Sequence, residues 1–147
     1  MIEVRKGNKM NSVAIVEAFW AAVWQGKDFD AIDRFVVDDF VITSGGVDTV
    51  SKAKFKEWAI QFNSRINDLT FDVIETFQNA DGSRVASRWH LSGKNNGIAG
   101  LPADQREISL TGTAVWAVRE DGKLLHNWVE RALWEMLQRL DAGPALK

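Results

Sequence analysis

Cysteine and tyrosine are both absent from the 147 residues. Without cysteine there is no disulfide, no thiolate nucleophile and no thiolate metal site, and the absence fits a reducing, cytoplasmic setting. Without tyrosine no phenol can serve as an acid or an oxyanion donor. Histidine occurs twice, as His90 and His126, which excludes a three-histidine metal site. Basic charge is not in excess: a net charge of −2 and a pI near 5.7 leave no footprint for nucleic acid. No apolar run approaches the ~20 residues of a membrane span, and the N-terminus shows no signal-peptide core, so no membrane partner is expected. The glycines of residues 45–46 and 93–100 do not form a phosphate loop, because the lysine–serine pattern and the helix opening are missing.

What remains is an ordinary soluble composition, 46% hydrophobic and 26% charged, which argues against disorder. The length fits one domain with a sizeable core. Seven tryptophans and eight phenylalanines are either an aromatic core or the wall of an aromatic pocket. Residues 1–10 carry Arg5, Lys6 and Lys9 with little apolar content and read as a flexible arm. Residues 11–141 read as a single domain and residues 142–147 as a tail.

Val13, Val16, Phe19, Trp20, Val23 and Trp24 recur at helical spacing, capped by Asn11 or Ser12 and stopped by Gly26. A short second helix follows Asp28, residues 40–42 form a short extended piece, and a third helix starts at Ser51 and ends near Ile66. The period then changes to two. Residues 69–77, 84–92, 107–119 and 123–131 read as strands, with turn signals at Asp81-Gly82 and Asp121-Gly122. Leu133, Met136, Leu137 and Leu140 suggest a closing helix. Helices followed by a run of strands predict α+β: a cone-shaped, curved antiparallel sheet wrapped around the N-terminal helices, a cystatin-like α+β barrel. On the helices facing the sheet, Trp20, Trp24 and Trp58 are the first candidates for pocket walls, and Trp116 can line the pocket or stiffen the sheet.

Three stretches carry a family resemblance. They are residues 21–28 (AAVWQGKD), residues 88–93 (RWHLSG) with Gly97, Gly100 and Leu101-Pro102, and residues 121–124 (DGKL) with Trp128 and residues 137–140 (LQRL). Together they resemble the SnoaL-like polyketide cyclase and limonene epoxide hydrolase-like branch of the nuclear transport factor 2-like superfamily. The resemblance spans about residues 12–141. It implies a cone with a hydrophobic pocket at one end, a homodimer through the outer face of the sheet, and no metal or organic cofactor. It does not single out a reaction, because one fold hosts many.

In that family an aspartate on the last strand does acid–base work. Aligned on Gly122-Lys123, Val129 takes its place; aligned on Trp128, Glu130 does. The two registers point to opposite faces. In the second, Glu130 is the catalytic acid or base, His90 its proton partner and Arg88 the charge clamp, since burial raises a carboxylate's pKa and histidine titrates near neutrality. In the first, Asn127, Val129 and Arg131 face inward and no carboxylate lines this strand. The family's turn histidine falls near Asn95, and a later family aspartate falls on Ala132. The leading expectation is cofactor-independent proton transfer, driving cyclisation, isomerisation or hydrolysis of an apolar, cyclic substrate. The alternative is a non-catalytic module that binds a hydrophobic ligand by stacking and area burial. A protein–protein adaptor ranks last, for want of a large exposed apolar patch.

Overall fold

In the computed structural model the described residues are 10–140; the proposed arm and tail fall almost wholly outside them. Helix α1 (Ser12–Phe19) runs into a π-helical turn (Trp20–Gln25), and a 3-10 turn (Phe29–Ala31) leads to α2 (Ile32–Phe35). Strands β1 (Val36–Ser44) and β2 (Val47–Val50) precede α3 (Lys52–Ser64). Strands β3 (Ile66–Gln78), β4 (Arg84–Asn95), β5 (Glu107–Val118) and β6 (Leu124–Arg131) follow, and α4 (Leu133–Arg139) closes the order.

The strands form one sheet in the order β2-β1-β6-β5-β4-β3, open between β2 and β3. The α+β architecture agrees with the sequence reading, with two corrections. Among the described residues there are six strands, not four: the piece at residues 40–42 is the middle of β1, which hairpins through Gly45-Gly46 into β2. The sheet is also not wholly antiparallel, because β1 runs parallel to β6. The isolated pattern of β1 hides this, since its Asp38-Asp39 pair and loose alternation look like loop.

Helix α1 is fixed at its start by the sheet. Asn11 Oδ1 accepts from the Ala14 amide at 3.3 Å, and Gln78 Oε1 on β3 accepts from the amides of Ser12 and Val13 at 2.9 and 3.1 Å. Three of the four unpaired amides of the first turn thus find partners, one from its own cap and two from across the core. Ser51 caps α3 through the Lys54 amide. Val16, Phe19, Trp20 and Val23 from the first helix and Phe55 and Ala59 from α3 are buried against the concave face of the sheet. That face presents Phe71, Trp89, Leu91, Leu110, Ala114 and Trp116.

Bulges bend this sheet around the helices. In β3 the pairing passes from Val73–Trp89 to Glu75–Arg88, leaving Ile74 extra. In β6 it passes from Leu124–Val118 to His126–Ala117, leaving Leu125 extra.

Candidate active site

The Leu125 bulge decides which side chains enter the cone. Leu124 is buried, and strict alternation from it would turn His126, Trp128 and Glu130 inward as well. The extra residue reverses the phase, so that Asn127 and Val129 are buried while Trp128 and Glu130 are exposed. Asn127, Val129 and Arg131 therefore line the cavity inside the cone, together with Phe71 of β3 and Trp89 and Leu91 of β4. The helices contribute Trp20 and Trp24 from the π-helical turn, and Phe55, Trp58 and Phe62 from α3. A π-helical turn inside a helix often marks a functional site, and here it carries two of the indoles.

The rings form a continuous wall. Trp24 meets Phe62 edge-on at 5.8 Å and stacks near Phe71 at 6.1 Å, Trp58 stacks on Phe62 at 5.4 Å, and Phe71 tilts against Trp89 at 5.4 Å. Trp20 is tied to the sheet by its indole N–H, which donates to Ser87 Oγ at 3.0 Å. Gly112 lies opposite Trp89, and the indole rests on the space its missing side chain leaves.

Two cavities meet at this wall. The inner one has about 30 Å³ of free volume, room for a water or two. The outer one, about 280 Å³, is bounded by the C-terminal half of α3, by Ile98 and Ala99, and by Leu110 and Leu133. Trp58, Phe62 and Arg131 border both. The Arg131 guanidinium lies 5.4 Å from the Trp58 ring centre and 5.0 Å from that of Phe62, and one Nη donates to Ser44 Oγ. Burial lowers its pKa from the ordinary arginine value, partly offset by the charge of Glu130.

Asn127 is 4% exposed, yet its Oδ1 has no hydrogen-bond partner, and the buried indole N–H of Trp89 is likewise unpaired. Unpaired buried polar atoms are costly and uncommon. Both residues lie on the wall of the inner cavity.

The candidates of the sequence reading separate by face. Trp20, Trp24, Trp58 and Asn127 line the inner cavity. Trp116 does not: at 0% exposure it packs deeper, 4.8 Å from Phe19 and 5.5 Å from Trp20. Glu130, Arg88 and His90 are not gathered in the pocket, which corrects the register that turned Glu130 inward. Arg88, Thr113 and Glu130 form one row across β4, β5 and β6 on the outer face. Arg88 pairs with Glu75 at 2.8 Å, and His90 shares a 2.6 Å hydrogen bond with Ser109 Oγ. With two strand spacings between them, Arg88 and Glu130 have backbones roughly 10 Å apart. Among the described residues lining the inner cavity there is no aspartate, glutamate or histidine, and among the described residues no cluster could hold a metal ion.

Sequence reasoning gave too little weight to two residues. Arg131 was visible only as one member of the inward register. Asn95, seen as a departure from the family histidine, organises the loop beside the outer cavity. Its Oδ1 accepts from the amides of Gly97 and Ile98, both at 3.0 Å, and its Nδ2 donates to the Pro102 carbonyl and to Asp104. Its place two residues before Gly97 is the signal, since asparagine beside glycine commonly organises a turn.

Comparison with curated protein sequences gives no match. Solved structures share the fold. A candidate SnoaL-like polyketide cyclase from Jannaschia sp. CCS1 superposes with a TM-score of 0.82 at 14% identity, over 95% of this chain and 98% of that one. AclR, a candidate hydroxylase from Streptomyces galilaeus, gives 0.77 at 20% identity, over 92% and 88%. TsrD from Streptomyces laurentii gives 0.76 at 22% identity, over 90% and 96%. In sequence, residues 16–127 match the model of the SnoaL-like domain, and the chain belongs to that family.

Proposed function

We propose that this chain holds an apolar, ring-bearing small molecule at the mouth of its cone. The observation that carries the reading is the wall of Trp24, Trp58, Phe62, Phe71 and Trp89, interrupted by two polar side chains, Asn127 and Arg131. An apolar cleft with a few convergent polar groups is the usual form of a small-molecule site. The inner cavity is too small for such a ring as it stands, so the ligand occupies the outer cavity and displaces Trp58 or Phe62 to go deeper.

Binding without side-chain proton transfer is the first reading, because a general base must lie within hydrogen-bond reach of the substrate and, among the described residues, the inner wall offers no carboxylate or imidazole. A second reading keeps catalysis. Arg131 and Asn127 are preorganised polar groups in a water-poor site, able to stabilise an enolate during an aldol-type cyclisation or isomerisation of a substrate that is itself acidic. That chemistry needs neither metal nor organic cofactor. We also propose a homodimer through the outer sheet face, where Trp128 stacks on His126 at 3.8 Å and Phe77 is 55% exposed. Among the described residues no helix is long and apolar enough to cross a membrane.

The test is tryptophan fluorescence during titration with polycyclic ketones and epoxides, with product analysis alongside. A spectral shift that is lost in Trp58→Ala supports the pocket; no shift with any compound refutes it. Glu130→Gln separates the readings of the outer face. Binding and any turnover should survive it, whereas loss of turnover with binding intact would return Glu130 to the chemistry.

A further inference from the structure

Among the described residues the outer cavity is lined by two guanidiniums and no acid. Arg131 stands at the partition from the inner cavity, and Arg65, at the end of α3, stands at the rim. Among the described residues neither lies in an ion pair, although Lys52, Lys56, Arg88, Lys94, Arg106 and Arg119 all do. Arg131 uses one N–H on Ser44 and spreads its flat face near two rings. A guanidinium has five donors in a planar fork that matches a carboxylate. A half-buried cation with no acid in direct contact, balanced only by the more distant charge of Glu130, is costly, so such an arrangement points to a charge that arrives with the ligand.

Resting on the reading that the pocket holds an apolar small molecule, the geometry points to one class of ligand. It is an aromatic or polycyclic organic acid, whose carboxylate is held by Arg131, with Arg65 at the rim drawing it in, and whose ring lies against Trp58, Phe62, Leu110 and Leu133. Asn127 Oδ1 and the Trp89 N–H, both unpaired, supply an acceptor and a donor for a hydroxyl or carbonyl on the part of the ligand that reaches inward. The arrangement selects against neutral molecules of the same shape, because they leave the guanidinium desolvated and unpaired.

The experiment is calorimetric titration of the full chain with 2-naphthoate and with 2-naphthamide, its neutral isostere, at low ionic strength. The expected result is naphthoate binding tighter by about tenfold or more. In Arg131→Met that preference should fall to near one. Should Arg131→Met fail to fold, Arg131→Lys keeps the charge without the fork and Arg65→Met alters only the exposed rim; each should cut the naphthoate preference several-fold. Equal binding of the two compounds to the unaltered chain overturns the acid preference and leaves the apolar pocket standing. Failure of both to bind overturns the pocket reading and this inference with it.

Discussion

The fit of Trp89 over Gly112 makes a quantitative demand. The two residues face each other across β4 and β5. A Cβ added at Gly112 would sit 2.1 Å from Cζ2 of Trp89, 2.5 Å from Cη2 and 2.6 Å from Cε2. Carbon atoms rest at about 3.5–4.0 Å, so in Gly112→Ala the indole must retreat by roughly 1.4 Å or more. Phe71 is its ring neighbour, and the cavity they share has about 30 Å³ to spare. Overpacking of this kind costs about 1–3 kcal/mol, and replacing glycine within a strand returns about 0.5–1 kcal/mol. The net expectation is a loss of about 1–2 kcal/mol, or roughly 2–8 °C in Tm for a chain of this size. Urea unfolding followed by tryptophan fluorescence measures it. The clashing atoms all belong to the six-membered ring of the indole, which phenylalanine does not extend far enough to replace. Gly112→Ala combined with Trp89→Phe should therefore cost less than the sum of the single changes, with a coupling of about 1 kcal/mol or more. Strict additivity, or a Gly112→Ala variant as stable as the parent, would refute the packing argument.

Asn95→Ala should loosen the loop beside the outer cavity, since four hydrogen bonds leave with the side chain and the Ile98 amide stays buried. A cost of about 2–3 kcal/mol is expected, with faster amide exchange at Gly97 and Ile98 and unchanged exchange at the centre of β4; slow exchange at those two amides would contradict it. His126 is held below the ordinary histidine pKa, chiefly by burial and slightly by Arg84, with Asp48 opposing. Because the folded pKa lies under the unfolded one, its contribution is present above the unfolded value near 6.5 and is lost as pH falls through the folded value. An NMR titration should give a midpoint under 6.5, and His126→Gln should flatten stability against pH in that window; a midpoint above 6.5 would reverse the sign.

How much of this could be read from the chain follows from the range of each signal. Three- and four-residue spacing from Val13 to Trp24 is local, and the helix lies where that pattern ends. The long strands β3 to β5 declare themselves by alternation and by their turns, because consecutive antiparallel neighbours leave local marks. Strand β1 does not. It pairs with β6, more than 80 residues away (Ile42 with Asn127), and runs parallel to it, so no turn signal announces the contact. The aromatic wall was legible for the same reason as the helices: Trp20, Trp24 and Trp58 occupy the faces that helical periodicity turns toward the sheet.

The chemistry of the site depended on a single residue that leaves almost no mark in the sequence. Leu124 and Leu125 are equally apolar, and either can be the one that faces the core. If Leu125 were not extra, Glu130 would stand inside the cone and Asn127 would face solvent. With the bulge, the inner wall exchanges a carboxylate for an amide and an arginine. The bulge lies at the start of β6, between the Asp121-Gly122 turn and Trp128. The turn anchor, which set Val129 inward, agrees with the observed face, and the tryptophan anchor, which set Glu130 inward, does not.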